Sequence, residues 1–328
     1  MKLINSGRLY LWIIIALVLV VTVMVSSVRG GHVLPIDEDE VMGKGYIWTA
    51  PDTTGIPNSN EGMLIRYGRE LIAHTSYYLG PKGTVAHITN GMNCQNCHLD
   101  AGTKTWGNNY SAVFSTYPKF RERSGTVENV YKRINDCIDR SLNGQPMDSN
   151  SREMQAISAY IRWVGKNVPR ETKPWGAGIR DLAFMDRPAD PSKGRIVFIQ
   201  KCQRCHGPEG KGLLDAAGTE YIYPPLWGDN SYNKGAGLYR VSRFAGYVRD
   251  NMPFDAPYNS AGLTTEEAWD VAAFVNSQSR PDKDYRKDYP NVAGKPIDHP
   301  FGPFKDAFSE EQHKYGPFEP IRMARSTH

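Results

Sequence analysis

The sequence contains two copies of one five-residue motif that can do chemistry, CQNCH at Cys94–His98 and CQRCH at Cys202–His206. In each copy two thiols can form thioethers with the vinyl groups of a haem, and the adjacent histidine is placed as an iron ligand. A redox-active thiol pair or half of a zinc site does not require that histidine, and the histidine occurs twice. The sequence therefore predicts two covalently bound c-type haems, with the cofactor-binding residues Cys94, Cys97, His98, Cys202, Cys205 and His206.

Helical stretches flank both motifs and must position them. Leu64–His74 and Lys193–Lys201 precede the motifs, and Met154–Val168 and Thr265–Gln278 follow them, with apolar residues at spacings of three and four. The pattern is a duplicated unit of about 100 residues. Each unit resembles the cytochrome c domain, in which an N-terminal helix crosses a C-terminal helix beside a covalently held haem.

The predicted fold is mainly α, with two tandem cytochrome c domains behind an N-terminal transmembrane helix. The chain has 328 residues, which is enough for two modest domains. The predicted segments are a signal anchor or signal peptide (1–30), a linker (31–59), the N-terminal domain (60–170), a linker rich in Pro, Gly and charge that lies over the surface (171–192), the C-terminal domain (193–281) and an aperiodic tail (282–328).

An apolar run of 20 residues without a charge, Leu9–Val28, follows Lys2 and Arg8 near the N-terminus. As a helix it would reach about 30 Å, the hydrocarbon thickness of a bilayer. The residues that follow the run lack a clear A-x-A cleavage pattern. This favours an uncleaved inner-membrane anchor at residues 9–28, and a cleaved signal peptide is the alternative. We expect a periplasmic protein, because haem attachment through thioethers takes place outside the bacterial cytoplasm.

The charge balance gives no sign of a polyanionic partner. The chain has 39 basic and 35 acidic residues, a net charge of +4, and no long basic run. Binding to nucleic acid is therefore not expected.

The sixth iron ligands decide what the haems do, because a haem that only carries electrons usually has two strong protein ligands. For the second haem we predict Met252, which is followed by proline, with Met185 as a rival and Lys234 as a further amine ligand. For the first haem no Met-Pro pair is found. Met147, His74 and His87 are possible ligands there, and the remaining cysteine, Cys137, is another.

Cys137 lies in a predicted helix whose apolar face should look towards the first haem. This face comprises Val127, Val130, Tyr131, Ile134, Cys137 and Ile138. An unpaired thiol in an oxidising compartment is expected to be buried or ligated. Arg133 and Ser141 stand four residues to either side of Cys137, and Arg123 approaches from the preceding turn. This arrangement could bind a small sulfur oxyanion. The alternative is that Cys137 is a buried thiol without a chemical role and that the arginines pair with the haem propionates.

Several blocks in order resemble the dihaem thiosulfate dehydrogenases: GMNCQNCHLDAGT, RERSGTVENVYKRINDCIDRSLNGQPM, AISAYIRWV, PPLWGDNSYNKGAG and NMPFDAP. The resemblance implies oxidation of two thiosulfates to tetrathionate, and in some members the reverse. It implies that His98 and Cys137 are the iron ligands of the catalytic haem, that Arg123, Arg133, Ser141 and Cys137 form the active site, and that His206 and Met252 ligate the electron-exit haem.

The resemblance also implies the route of the electrons. Thiolate ligation should give the first haem a lower potential than the methionine-ligated second haem, so electrons flow from substrate through both haems to an external electron-accepting cytochrome. Two other functions remain open at this point. One is a dihaem electron carrier without its own substrate, and the other is a dihaem peroxidase.

Overall fold

The structure is a computed structural model that describes residues 48–254 and 256–326, and these residues are mainly helical. The first half contains α1 (Asn60–Ala73), α2 (Thr75–Leu79), α3 (Leu99–Gly102), α4 (Val113–Thr116), β1 (Lys119–Arg121), β2 (Thr126–Glu128), α5 (Val130–Ser141) and α6 (Arg152–Val164). The second half contains α7 (Pro191–Val197), α8 (Gln203–His206), β3 (Leu213–Leu214), β4 (Tyr221–Tyr223), α9 (Val241–Asn251) and α10 (Thr265–Ser277), and the tail contains α11 (Glu310–Tyr315) and α12 (Glu319–Ser326). Two antiparallel hairpins, β1–β2 and β3–β4, are the described sheets.

The four helices that flank the two motifs all begin at a side-chain N-cap. Ser59 accepts a hydrogen bond from Gly62 N at the start of α1, and Ser151 caps α6 in the same way. Asp190 caps α7, and Thr264 forms a capping box at α10. These caps satisfy backbone N–H groups that have no partner within the helix, so the predicted helices begin where the sequence places an oxygen-bearing side chain.

A glycine allows the N-terminal helix to cross the C-terminal helix in both domains. A Cβ on Gly68 of α1 would overlap the backbone of Ala156 in α6, and a Cβ on Gly194 of α7 would overlap the backbone of Asp270 in α10. The same contact recurs one turn later against the Cβ atoms of Tyr160 and Phe274. The predicted duplication is therefore present as a repeated helix crossing.

Replacing Gly194 with leucine is expected to destabilise the second domain by about 2–3 kcal/mol, because the side chain must push α7 away from α10. The measurement is the thermal midpoint of the holoprotein. Gly237→Ala is the matched control, since a Cβ at Gly237 meets nothing within 4 Å. An unchanged midpoint for Gly194→Leu would show that the crossing tolerates a side chain.

The described residues form one compact unit with two hydrophobic cores. The first core includes Ile72, Met154 and Tyr160, and it also buries Trp48 and Ile56 from the end of the predicted N-terminal linker. The second core includes Phe198, Val241 and Trp269. The tail contributes Phe318 and Ile321 to this second core, so it is an integral layer of the fold.

The predicted linker 171–192 contacts both domains. The carbonyl oxygens of Gly176 and Gly178 accept hydrogen bonds from Trp106 N and Asn108 N of the first domain, each at 2.9 Å. Towards the second domain, Arg187 forms an ion pair with Asp270 at 2.8 Å. The linker therefore fixes one domain against the other.

The predicted membrane anchor, residues 9–28, lies outside the described residues. Across 48–254 and 256–326, none of the helices has both the length and the apolar character needed to cross a bilayer.

Candidate active site

The helix that carries Cys137 begins directly after a short hairpin. Asn129 accepts a hydrogen bond from Lys132 N at 2.9 Å and caps α5, so the strand β2 ends and the helix starts at Val130. Val127 consequently belongs to the strand, and its side chain is 68% exposed. The prediction that Val127 shares the apolar face of the helix is wrong, because the N-cap interrupts the pattern.

One face of α5 and the first motif together line a cavity of about 130 Å³. Val130, Ile134 and Ile138 supply apolar walls. The chemically active side chains that line the same cavity are Cys94, Cys97, His98, Arg133, Cys137 and Ser141. The predicted stripe of Arg133, Cys137 and Ser141 therefore faces the motif as expected.

Arg133 holds Cys137 as a thiolate. Its guanidinium donates a hydrogen bond to Cys137 Sγ at 2.9 Å. Burial alone raises the pKa of Cys137, but the charge of Arg133 and hydrogen bonds from His98 and Arg133 lower this pKa to about 6. Burial instead raises the pKa of Cys94 to about 11 and that of Cys97 to about 12. Cys137 is thus the most acidic of the three thiols in this cavity.

His98 is oriented towards Cys137 by the loop that follows the motif. Its Nδ1 lies 2.5 Å from the carbonyl oxygen of Asn108, and its ring stacks on Tyr110 with centroids 4.5 Å apart. A bond of Nδ1–H to a carbonyl leaves Nε2 free to ligate a metal. His98 and Cys137 line the same cavity, and His98 is among the groups that lower the pKa of Cys137, so the two side chains predicted to ligate one iron lie close together.

The second motif lines a larger cavity of about 260 Å³. Cys202, Cys205, His206 and Met252 all face this cavity. Nδ1 of His206 lies 2.8 Å from the carbonyl oxygen of Pro224, which repeats the arrangement at His98. Burial lowers the pKa of His206, which keeps the imidazole neutral and able to bind a metal.

Both donor sets fit a c-type haem. Each cavity offers two thiols for thioethers and a histidine whose free nitrogen faces inwards. The second donors differ, since a thiolate faces the first haem position and a thioether faces the second. A thiolate ligand would give a haem held at the first position a lower reduction potential than a thioether ligand would give at the second.

The two cavities adjoin each other. Cys97 lines both of them, and Asn96 beside it accepts a hydrogen bond from the hydroxyl of Tyr247 at 2.9 Å. Leu99, which follows the first motif, is buried in the core of the second domain. The wall between the two haem positions is therefore built from the first motif itself.

Arg123 does not line the cavity of Cys137. It donates a hydrogen bond to the carbonyl oxygen of Gly235 at 2.6 Å and lies 3.8 Å from Asp288 of the tail. Asp288 is held more tightly by Arg140, with two hydrogen bonds of 2.7 Å. The assignment of Arg123 to the active site thus stays a prediction.

The rival ligands of the second haem lie elsewhere. Lys234 forms an ion pair with Asp282 at 3.4 Å and is absent from the described lining of the cavity. Met185 packs against the second core, outside that lining. Met92 and Met252 are the methionines in the lining of this cavity, and Met252 is the one that the sequence predicts as a ligand.

The rival ligands of the first haem are also placed away from His98. Met147 packs against the first core without lining the described cavity. His74 pairs with Glu220 at 3.1 Å, and the exposed His87 contacts the carbonyl oxygen of Gly83 at 3.1 Å. Cys137 is the candidate that faces the iron position.

Sequence reasoning did not identify three contributors to the site. Tyr110 and the carbonyl of Asn108 fix His98, and Asp288 fixes Arg140. A backbone carbonyl carries no signal in the residue type. Asp288 lies in an aperiodic tail, where nothing in the pattern points to a distant helix.

Family models match both halves of the chain. The model described as "SoxA/TsdA, cytochrome c domain" matches residues 85–169, and the model described as "Cytochrome c" matches residues 191–279. These matches confirm the two cytochrome c domains and, with them, two covalently bound c-type haems.

Curated relatives cover most of the chain. A thiosulfate dehydrogenase of Psychrobacter arcticus is 34% identical over 77% of this chain and 74% of its own length. Thiosulfate dehydrogenases of Stutzerimonas stutzeri (31% identical, 73% of this chain, 74% of the relative) and Allochromatium vinosum (34% identical, 71% of this chain, 84% of the relative) are also similar.

A solved structure of a thiosulfate dehydrogenase, TsdBA from Marichromatium purpuratum in the "as isolated" form, matches with a TM-score of 0.67 and 32% identity. The match covers 77% of this chain, which spans about half, 53%, of the length of that solved chain. The extent and identity of these relatives show that the chain belongs to the thiosulfate dehydrogenase family.

Proposed function

We propose that this protein joins two thiosulfate ions through their sulfane sulfurs to form tetrathionate. The balance is 2 S₂O₃²⁻ → S₄O₆²⁻ + 2 e⁻, so one S–S bond forms, two electrons leave and no proton is released. The observation that carries the proposal is the cavity in which the Arg133–Cys137 pair and Ser141 face the first haem motif. The names of the relatives support thiosulfate as the substrate.

Three side chains of α5 perform separate tasks in this proposal. Arg133 supplies a planar, permanently charged donor that can grip a sulfonate oxygen. Ser141 adds a hydroxyl donor on the same side of the helix, one turn beyond Cys137. Cys137 presents a thiolate sulfur beside both groups, so a sulfane sulfur held by them lies next to a nucleophile. Apolar walls exclude water and strengthen these charge interactions.

Haem, when bound, supplies a one-electron acceptor at each motif. Cys94, Cys97, His98 and Cys137 would hold the first haem, and Cys202, Cys205, His206 and Met252 the second. We propose that electrons leave from the second position to an external c-type cytochrome or a comparable one-electron carrier. The lower potential expected for thiolate ligation supports this direction.

We also propose a periplasmic location, with residues 9–28 as an inner-membrane anchor. Support comes from the uncharged apolar run and from the need to export a chain that receives haem through thioethers. A retained anchor would keep the enzyme close to membrane-bound electron carriers.

The test is reduction of the haem absorption bands when thiosulfate is added to the purified oxidised holoprotein, followed by turnover with ferricyanide. We expect thiosulfate-dependent reduction and one tetrathionate for each two thiosulfates consumed. Holoprotein that stays oxidised with thiosulfate would contradict the proposal. In that event, turnover of hydrogen peroxide would identify a peroxidase, and inertness towards both would identify an electron carrier.

A further inference from the structure

The last turn of α5, the helix that carries the thiolate, is completed by hydrogen bonds from outside the helix. The final carbonyl groups of any helix lack a donor within it. Here Leu142 N donates to Cys137 O at 3.1 Å, and Gly144 N donates to Ile138 O at 2.9 Å. The chain that follows the helix thus serves these two carbonyls. The next two carbonyls along the helix need donors from elsewhere.

Asn233 of the second domain supplies both of these donors. Its side-chain Nδ2 donates to the carbonyl oxygen of Asp139 at 2.9 Å, and its backbone N donates to that of Arg140 at 3.1 Å. Nδ2 also donates to Asn143 Oδ1 at 2.9 Å, and Oδ1 of Asn233 accepts a hydrogen bond from Gly235 N at 3.0 Å. Asn233 is 0% exposed, so water cannot readily replace these bonds. The second domain therefore caps the C-terminal end of α5.

The tail holds the same turn from a second side. Arg140 donates two hydrogen bonds of 2.7 Å to Asp288, and the side chain of Asp139 pairs with Lys283. Asp139 and Arg140 are thus held through their backbone carbonyls as well as through their side chains. Ser141 is the next residue in the helix, so the turn that presents its hydroxyl is fixed by segments that are distant in sequence.

The loop of Asn233 also forms part of the second haem position. Tyr232, the preceding residue, lines the second cavity, and its hydroxyl donates to Asn276 Oδ1 of α10 at 2.8 Å. Two consecutive residues therefore connect the wall of one cavity to the helix that lines the other. Such a connection matters for catalysis, because a displacement of about 1 Å at a reacting group can lower a rate about 10²-fold.

We propose that Asn233 is a positioning residue of the active site, which caps α5 from the second domain and thereby sets the place of Cys137 and Ser141 in the first cavity. This inference rests on the proposed reaction for the chemical role of those two side chains. Asn233 is absent from the described lining of that cavity, so it acts through the helix. Loss of its side chain should loosen the last turn of α5 and leave both haems attached, because the thioether-forming thiols belong to the two motifs.

The test combines hydrogen–deuterium exchange with spectroscopy of the oxidised holoprotein. We expect Asn233→Ala to speed amide exchange in residues 137–142 about tenfold, while α1 of the same domain exchanges as in wild type. The absorption and electron paramagnetic resonance signals of the first haem should shift, and those of the second haem should not, because the altered turn carries the thiolate ligand predicted for the first. In the thiosulfate assay, kcat/KM should fall about tenfold.

Asn276→Ala is the matched control. Asn276 is also 0% exposed, and its side chain makes its hydrogen bonds within the second domain, to Leu238 O at 2.9 Å and with Tyr232. This variant should lower the thermal midpoint about as much as Asn233→Ala does, without changing the exchange of residues 137–142 or the signals of the first haem. The same changes in Asn276→Ala would show a general loss of packing and would overturn the positioning role.

The positioning role is also overturned if Asn233→Ala folds and keeps wild-type exchange in residues 137–142 and wild-type signals of the first haem. If Asn233→Ala does not give folded holoprotein, Asp288→Asn decides, because it weakens the second contact with the same turn. It should show the same two changes, and wild-type behaviour would reject the proposal. If the changes occur while thiosulfate fails to reduce the haems of wild type, the positioning role stands and the proposed reaction fails.

Discussion

Replacing Cys137 with glycine is expected to lower kcat for thiosulfate by about 10³-fold or more while both haems stay covalently attached. The thioether-forming thiols belong to the two motifs, and neither motif includes Cys137. The substitution removes the sulfur that Arg133 contacts at 2.9 Å, and it leaves the apolar walls and His98 in place. Steady-state turnover and a pyridine haemochrome count of two haems measure the two halves of this prediction.

Met147→Leu is the control for this experiment, because Met147 is a rejected ligand candidate that packs beside the same core. It should retain turnover within about twofold, as volume-conserving apolar exchanges are well tolerated. The absorption spectrum of the first haem should change in Cys137→Gly and stay unchanged in Met147→Leu. A Cys137→Gly protein that turns over at the rate of wild type would remove Cys137 from the mechanism.

Replacing Arg133 with glutamine is expected to lower kcat/KM for thiosulfate by about 10²–10³-fold. The substitution removes the charged donor of the cavity and leaves a buried sulfur without its counter-charge. Arg133→Lys should recover only part of the loss, because an ammonium keeps the charge but lacks the planar fork. Initial rates over a range of thiosulfate concentrations separate KM from kcat.

The control for Arg133 is Arg162→Gln, which removes an exposed guanidinium from α6 in the same domain. Its effect should be less than about twofold, as is usual for a surface charge. If Arg133→Gln keeps both KM and kcat near wild type, the pair with Cys137 is structural and the substrate must bind elsewhere. A haem count of two for every variant rules out failed maturation as the cause.

Local rules account for the parts of the fold that the sequence predicts well. The haem motif fixes its ligands by covalent spacing, and the helices on either side follow a periodic apolar pattern with caps such as Ser59 and Thr264. The spacing of four residues between Arg133, Cys137 and Ser141 likewise places them in one cavity. These features depend on residues that are close to one another in the sequence. One sequence is therefore enough to predict them.

Contacts between distant segments are the parts that the sequence does not predict. The resemblance assigns Arg123 to the active site, yet its side chain binds Gly235, which is 112 residues away, and lies near Asp288. Val127 fits the helical pattern but lies in a strand, because Asn129 caps the helix after it. The tail has no periodicity, and its Asp288 nevertheless anchors Arg140 on the catalytic helix. Such partners are selected by tertiary packing and leave no trace in local spacing.

The position of Cys97 in the walls of both cavities has a consequence for timing. In the proposed reaction, formation of one S–S bond would release an electron pair, whereas a haem and a one-electron carrier each accept electrons singly. Two adjoining single-electron sites can together store the whole pair before any carrier arrives. The proposed reaction would then be completed before a carrier arrives, and no half-oxidised sulfur radical would have to wait in the cavity. Two haems held on either side of Cys97 would thus act together as a two-electron acceptor.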